Sequence, residues 1–171
     1  KCANSRVFLV NQPCFNHPDT TFPRVRTTRR RPADAERREG ELCETAAMET
    51  RLVAFGAADP GVVVDWVRSP EEAVRWAGVV EFPAPAATLR EWHADPDVVP
   101  FLLVVGGDPV AYGELWEDES EVELARLVVA PKLRGRGLGR RLVEALVTEA
   151  ERRGFDEIWL RVVPDNEIAI R

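Results

Sequence analysis

Three glycines within five positions punctuate Arg134-Gly135-Arg136-Gly137-Leu138-Gly139, between an apolar stretch ending in Val129-Ala130-Pro131 and an amphipathic one beginning at Leu138. The glycines strip side chains from a turn whose amides then open a helix. Such a start carries unpaired N–H groups and the positive end of the macrodipole, a combination that suits phosphate oxygens. Arg134, Arg136, Arg140 and Arg141 add cationic charge around the same turn. The expected ligand is a phosphorylated cofactor. A P-loop is excluded because no Gly-Lys-Ser/Thr follows, and Arg140 stands where a dinucleotide fingerprint needs its third glycine.

The flanking elements must aim that turn. Leu138, Leu142, Leu146 and Ala150 recur at helical spacing, with Val143 and Val147 widening the stripe and Gly154 as the stop. Ile158 to Val163 then reads as a strand, so a strand–helix–strand unit with a parallel pair is expected. Upstream, Phe101–Val105, Val110–Trp116 and Val122–Val129 alternate with the turns Gly106–Pro109 and Glu117–Ser120 as an antiparallel meander. Earlier still, Arg51–Phe55 is a short strand, and Val62–Val67 fits either a strand or a short helix. Ser69-Pro70-Glu71-Glu72 opens a helix as a capping box; that helix is expected to bury Val74 and Trp76 or Ala77 and to stop at Gly78. Thr88 to His93 is another short helix, on which His93 reads as a surface residue. The fold class is α/β, a mixed α+β sheet.

At 171 residues the chain holds one domain, or one domain and a tail. No apolar run is long enough to span a membrane and no signal peptide opens it, so a cytoplasmic protein without a membrane partner is expected. The net charge of -6 argues against nucleic acid as a partner. Charge is unevenly spread. Residues 1–47 carry nine basic and six acidic residues, whereas 48–171 carry 14 basic and 23 acidic. The first segment, with its arginine-rich stretch from Arg24 to Arg38, reads as a disordered or non-native extension, and Met48 as the native start. Cys14 and His17 have half-site spacing for zinc, but Cys2 and Cys43 complete no familiar module, so no metal is expected.

The residues around the turn resemble the GNAT superfamily of acyl-CoA-dependent N-acyltransferases. Its cofactor motif, Gln/Arg-x-x-Gly-x-Gly/Ala, is matched by Arg134, Gly137 and Gly139, with Val129-Ala130-Pro131 upstream and Asn166-Glu167-Ile168-Ala169-Ile170 downstream. The resemblance covers about residues 50–171, and residues 48–171 are read as the acetyltransferase domain. It implies a GNAT-like fold and transfer of an acetyl group from acetyl-CoA to a primary amine, by direct attack in a ternary complex. The alternative is a non-catalytic acyl-CoA-binding module. Main-chain groups of Leu127, Val128 and Val129 would pair with the pantetheine amides. The turn from Arg134 through Gly135, Arg136, Gly137, Leu138 and Gly139 to Arg140 would hold the pyrophosphate, and Asn166 would touch the pantetheine arm.

Attack on a thioester needs a neutral amine, and a carboxylate commonly takes the ammonium proton. On the family's spacing Glu123 is the candidate base, with Glu114 and Glu121 behind it. Members that acetylate ribosomal-protein N-termini carry Glu where this chain has Arg161, which argues against that activity. The family's acid, a Tyr, would fall just past Arg171, as would the last helix and hairpin, so the domain reads as incomplete at its C-terminus. Tyr112 reads as strand packing, and Trp66, Trp76, Trp92 and Trp116 as core. The acceptor is a small-molecule or peptide amine, and a homodimer is left open.

Overall fold

The computed structural model describes residues 49–163 and Asn166 in full, and residues 6–11 by their backbone. Its elements run β1 (Arg6–Asn11), β2 (Thr50–Ala54), α1 (Pro60–Val64), α2 (Pro70–Ala77), α3 (Ala86–Trp92), β3 (Val98–Val105), β4 (Asp108–Asp118), β5 (Glu121–Val129), α4 (Leu138–Arg153) and β6 (Glu157–Val162). A single 3-10 turn, Pro131–Leu133, joins β5 to α4. Strands β2 to β5 pair antiparallel in sequence order, as the turn chemistry requires. The Gly106-Gly107 turn has both φ angles positive, at 61° and 97°, which matches the twist of a two-residue hairpin. The α4 crossover then returns β6 parallel to β5, so the six-stranded sheet runs β1-β6-β5-β4-β3-β2.

Two apolar layers follow from strand alternation. Leu103, Leu115, Val122, Leu124 and Ile158 meet Leu142, Leu146 and Ala150 of α4 on one face. Leu102, Val104, Tyr112 and Val128 meet the short helices on the other, through Val63, Ala73, Trp76 and Leu89. In α1 the cap outweighs β propensity: Asp59 accepts from the Gly61 amide at 2.9 Å and Pro60 starts the helix. In α2, Ser69 Oγ accepts from Glu72 N at 3.2 Å, and Gly78 closes the helix at φ 66°. The buried face of α2 is Ala73 and Trp76, three residues apart, and this leaves Val74 exposed, contrary to expectation. The capping box is also displaced, since Glu72 accepts from the Arg68 amide.

Residues 1–47 were expected to form an extension, yet Arg6–Asn11 runs parallel to β6 over Arg6↔Glu157 to Asn11↔Val162. The physical reason is the free edge of β6, which an apolar run such as Val7-Phe8-Leu9-Val10 satisfies with main-chain hydrogen bonds. Cys2, Cys14, His17, Cys43 and Met48 lie outside the described residues.

One close approach seats α4. A Cβ on Gly113 of β4 would come within 2.6 Å of Leu127 Cδ2 and 2.9 Å of Leu146 Cδ1. Glycine there lets the helix sit down on the sheet and fixes where its N-terminus emerges. Gly113→Ala is expected to lower unfolding stability by about 1–3 kcal/mol through overpacking, read as a shifted urea midpoint; an unchanged midpoint contradicts this packing.

Candidate functional site

The turn that opens α4 has the geometry its glycines allow. Gly135 and Gly137 both sit at φ 76°, a left-handed conformation that favours glycine. A Cβ at either position would meet nothing within 4 Å, so both open into free space. Gly137 is the N-cap of α4, and Arg141 N takes its carbonyl at 3.1 Å as the first helical bond. The amides of Leu138, Gly139 and Arg140 belong to the first turn, where a helix supplies no acceptor. The turn thus combines unpaired first-turn amides with open space beside its glycines, an arrangement that suits an anion.

The arginines divide. Arg134 turns its side chain away from the cradle: Nε donates to Val129 O at 3.0 Å and Nη2 to Trp66 O at 2.8 Å, while Nη1 pairs with Glu72 at 2.6 Å. It braces the α1–α2 layer against the turn. Arg140 pairs with Glu144 one helical turn away, and Arg136 is exposed.

Strands β5 and β6 part company beside this turn. Their register ends at Leu124↔Leu160, while β5 runs on to Val129. The cause lies on the other side of β5. Tyr112 opposes Val128 and Glu114 opposes Ala125, so Arg126 and Leu127 together face Gly113 in a bulge. Arg126 takes φ 48° there, an uncommon conformation for a side-chain-bearing residue. Beyond the bulge, Leu127 and Val129 pack toward α4 and Val128 toward the short helices, which leaves their main chain along the split. Asn166 donates its amide to Val163 O at 3.0 Å, just after β6.

Glu123 sits at the apex of that split, opposite Trp116 on one side and Trp159 on the other. Its neighbours Val122 and Leu124 point to α4, so Glu123 points to the other face. Its side chain is 17% exposed and ion-paired with Arg161. Burial raises its pKa above the ordinary carboxylate value, and Arg161, with a smaller effect from Arg126, offsets part of that rise.

Glu114 is in a different situation. It is fully buried and its carboxylate accepts from Tyr112 Oη, from Trp116 Nε1 at 2.6 Å and from Arg126 Nη1 at 2.7 Å. With these donors in place it is a structural anchor, not a mobile base. Arg126 is stacked between two indoles, 3.5 Å from the Trp92 ring centre and 4.4 Å from that of Trp116. Trp76 Nε1 meets the Arg126 carbonyl at 2.7 Å. Trp66 and Trp76 are core residues, as expected, whereas Trp92 and Trp116 form the walls of this stack. His93, read as a surface residue, instead packs edge-on to Phe55 and meets Tyr112 Oη at 2.8 Å. Because the Tyr112 proton goes to Glu114, His93 Nε2 is the donor, and burial lowers its pKa, which favours the neutral ring. Burial and the adjacent Glu114 push the Tyr112 phenol well up, and its proton is donated to Glu114. Arg126 was missed in the sequence, although an arginine inside Leu124-Ala125-Arg126-Leu127 was a visible anomaly.

A family model described as the acetyltransferase (GNAT) family matches residues 61–171, more than half of the 171 residues. The chain belongs to this family. The ribosomal protein bS18 alanine N-acetyltransferase of Escherichia coli strain K12 is 36% identical over 70 residues, which cover 41% of this chain and 47% of the relative. The same-named protein of Shigella flexneri matches equally. The chain thus spans about half the length of these curated relatives. Among solved structures, the Escherichia coli ribosomal-protein-S18-alanine N-acetyltransferase superposes with a TM-score of 0.56 at 24% identity, over 71% of this chain and 72% of that one. An aminoglycoside acetyltransferase in complex with coenzyme A gives 0.59 at 21%, over 72% and 80%. These agree with the α/β mixed sheet of the GNAT-like fold. Among the described residues no helix is long and apolar enough to cross a membrane, and no three His, Cys, Asp or Glu residues cluster as a metal site.

If Glu114 anchors the bulge, Glu114→Ala leaves the Arg126 charge buried and unpaired. The expected loss is about 3–5 kcal/mol of unfolding free energy by urea titration. A loss below about 1 kcal/mol would mean that the network does not hold the strand.

Proposed function

We propose that the chain is an acetyl-CoA-dependent N-acetyltransferase acting on a primary amine by direct attack in a ternary complex, its domain spanning residues 48–171. The observation that carries this reading is one alignment: the open glycine cradle, the β5 edge beyond Leu124 and the Glu123 carboxylate follow one another along a single split. The amides from Arg134 to Arg140 would hold the pyrophosphate, with Arg136 and Arg140 as outer charge. Main-chain groups of Leu127, Val128 and Val129 would pair with the pantetheine as an added strand does, and Asn166 would meet its arm. Relatives named for acetylating a ribosomal-protein alanine, and a neighbour described with coenzyme A bound, support acetyl transfer from acetyl-CoA in general.

In the reaction, Glu123 takes a proton from the acceptor ammonium. The freed nitrogen lone pair attacks the thioester carbonyl carbon; the C–N bond forms, the C–S bond breaks, and the departing CoA thiolate is protonated by the proton that the acylated nitrogen gives up. A carboxylate whose pKa is raised by burial suits this task better than an ordinary one, because basicity near the working pH favours transfer. A cytoplasmic setting fits such a co-substrate.

One observation favours a second reading, the acyl-CoA-binding module without turnover. The Glu123–Arg161 ion pair occupies the base that transfer would need. Thiol release on a panel of amines and peptides separates the two: calorimetric acetyl-CoA binding with no thiol released on any acceptor favours the module.

Gly137→Glu is expected to lower acetyl-CoA affinity at least about 100-fold by calorimetry, because it forces a side chain into the left-handed N-cap and sets a carboxylate against phosphate. Unchanged affinity would put the pyrophosphate elsewhere. Glu123→Gln should cut kcat about 100-fold and spare acetyl-CoA affinity. Glu123 must be deprotonated to act, so activity falls as pH drops through its raised pKa. Arg161→Met removes a charge that holds this pKa down, and should move the acidic limb of the kcat–pH profile to higher pH. A limb that stays in place, or moves to lower pH, would exclude Glu123 as the base.

A further inference from the structure

Helix α2 reaches the free stretch of β5 at both of its ends. That stretch, Arg126 to Val129, lies past the last residue that pairs with β6. At its start the Arg126 carbonyl accepts from Trp76 Nε1 at 2.7 Å. At its finish the Val129 carbonyl accepts from Arg134 Nε at 3.0 Å, and the same guanidinium is held by Glu72 Oε1 at 2.6 Å. Glu72 and Trp76 stand four residues apart on α2, so they share one face with Cβ atoms about 6 Å apart. The two carbonyls, three strand residues apart, are separated by up to about 10 Å. The length of the Arg134 side chain spans the difference.

Each contact is itself secured. Glu72 Oε2 accepts from the Arg68 amide at 2.7 Å, and the Glu72 amide donates to Ser69 Oγ at 3.2 Å. Arg134 Nη2 donates to Trp66 O at 2.8 Å, so all three guanidinium nitrogens are engaged, by β5, by the loop between α1 and α2, and by α2. A rigid planar fork meets acceptors in several fixed directions, which a lysine ammonium cannot reproduce. Trp76 is buried and packs edge-on against Trp92, with ring centres 5.9 Å apart. Its hydrogen bond falls on the residue at φ 48°, a conformation that surrounding contacts must hold.

Global stability is a poor account of the Glu72–Arg134 pair. Its side chains are 29% and 38% exposed, and ion pairs open to water add little to folding. What the pair fixes is direction, keeping the guanidinium on the Val129 carbonyl. We propose that Glu72 and Trp76 are positioning residues for acetyl-CoA: α2 grips both ends of the β5 edge, so that the main chain of Leu127 to Val129 is in place before the pantetheine arm arrives. This rests on the cofactor placement above. Glu72 acts through Arg134, and Trp76 through the Arg126 carbonyl. An edge ordered beforehand loses less freedom on binding, and affinity rises accordingly.

The test uses the full chain with Glu72→Gln, Arg134→Lys and the two combined, titrating acetyl-CoA by calorimetry and measuring urea midpoints alongside. Each single variant is expected to weaken acetyl-CoA binding about tenfold, as a misplaced binding group does, with the urea midpoint little changed. The combined variant should be no weaker than the worse single one, because both substitutions break one link. Trp76→Phe keeps an aromatic ring without the N–H. In cofactor-free protein it should speed amide hydrogen exchange at Leu127 to Val129 about tenfold and leave α4 unchanged. Unchanged or tighter acetyl-CoA binding in Glu72→Gln, additive losses in the combined variant, or unaltered exchange in Trp76→Phe would overturn the proposal. Weakened binding in the variants, with no thiol released by the unaltered chain on any acceptor, would uphold the positioning and defeat the acetyl-transfer reading. Thiol release that persists with unchanged affinity in every variant would do the reverse.

Discussion

A carboxylate with no exposure to water must be matched where it stands, and the Glu114 side chain is matched by Arg126, Trp116 and Tyr112. An isolated buried charge is too costly to tolerate, so Arg126 is held over Glu114. That requirement coincides with the bulge: two residues, Arg126 and Leu127, oppose Gly113, and Arg126 adopts φ 48°. Strand β5 changes course at this point and stops pairing with β6. The split between β5 and β6 and the indole walls around Arg126 belong to the same local event.

The two acidic residues one strand apart thereby acquire different roles. Glu114 is saturated with donors and holds structure. Glu123 lies at the apex of the split, ion-paired with Arg161, and burial shifts its proton affinity upward. Alternation alone puts both on the same face of the sheet. Their separation into anchor and candidate base arises from what surrounds each carboxylate.

Bracing of the glycine turn is equally indirect. Arg134 fills the cationic position of the motif, yet its guanidinium spans Val129 O, Trp66 O and Glu72. It ties α2, through Glu72, and the loop between α1 and α2, through Trp66, to the turn that opens α4. The glycine turn is thereby mounted on the layer of short helices, with Gly113 allowing α4 to close on the sheet.

The sequence by itself determined the meander, the α4 crossover and the glycine turn, because each rests on local chemistry: hairpin glycines, a 3.6-residue apolar stripe, and positive φ at Gly135 and Gly137. It also determined Ser69 and Gly78 as the limits of α2. It did not determine which way α2 faces, since Val74 and Trp76 compete and only the packed sheet selects Ala73 with Trp76. Nor did it foresee the parallel strand Arg6–Asn11, whose pairing depends on an edge about 150 residues away in the chain. The roles of Arg126, His93 and Arg134 were decided by tertiary structure alone. Each depends on partners brought together from separate elements, such as Glu114 with Arg126 or Trp66 with Arg134. Charge, burial and hydrogen-bond partners are properties of a place in the fold, and no local pattern of residues encodes them.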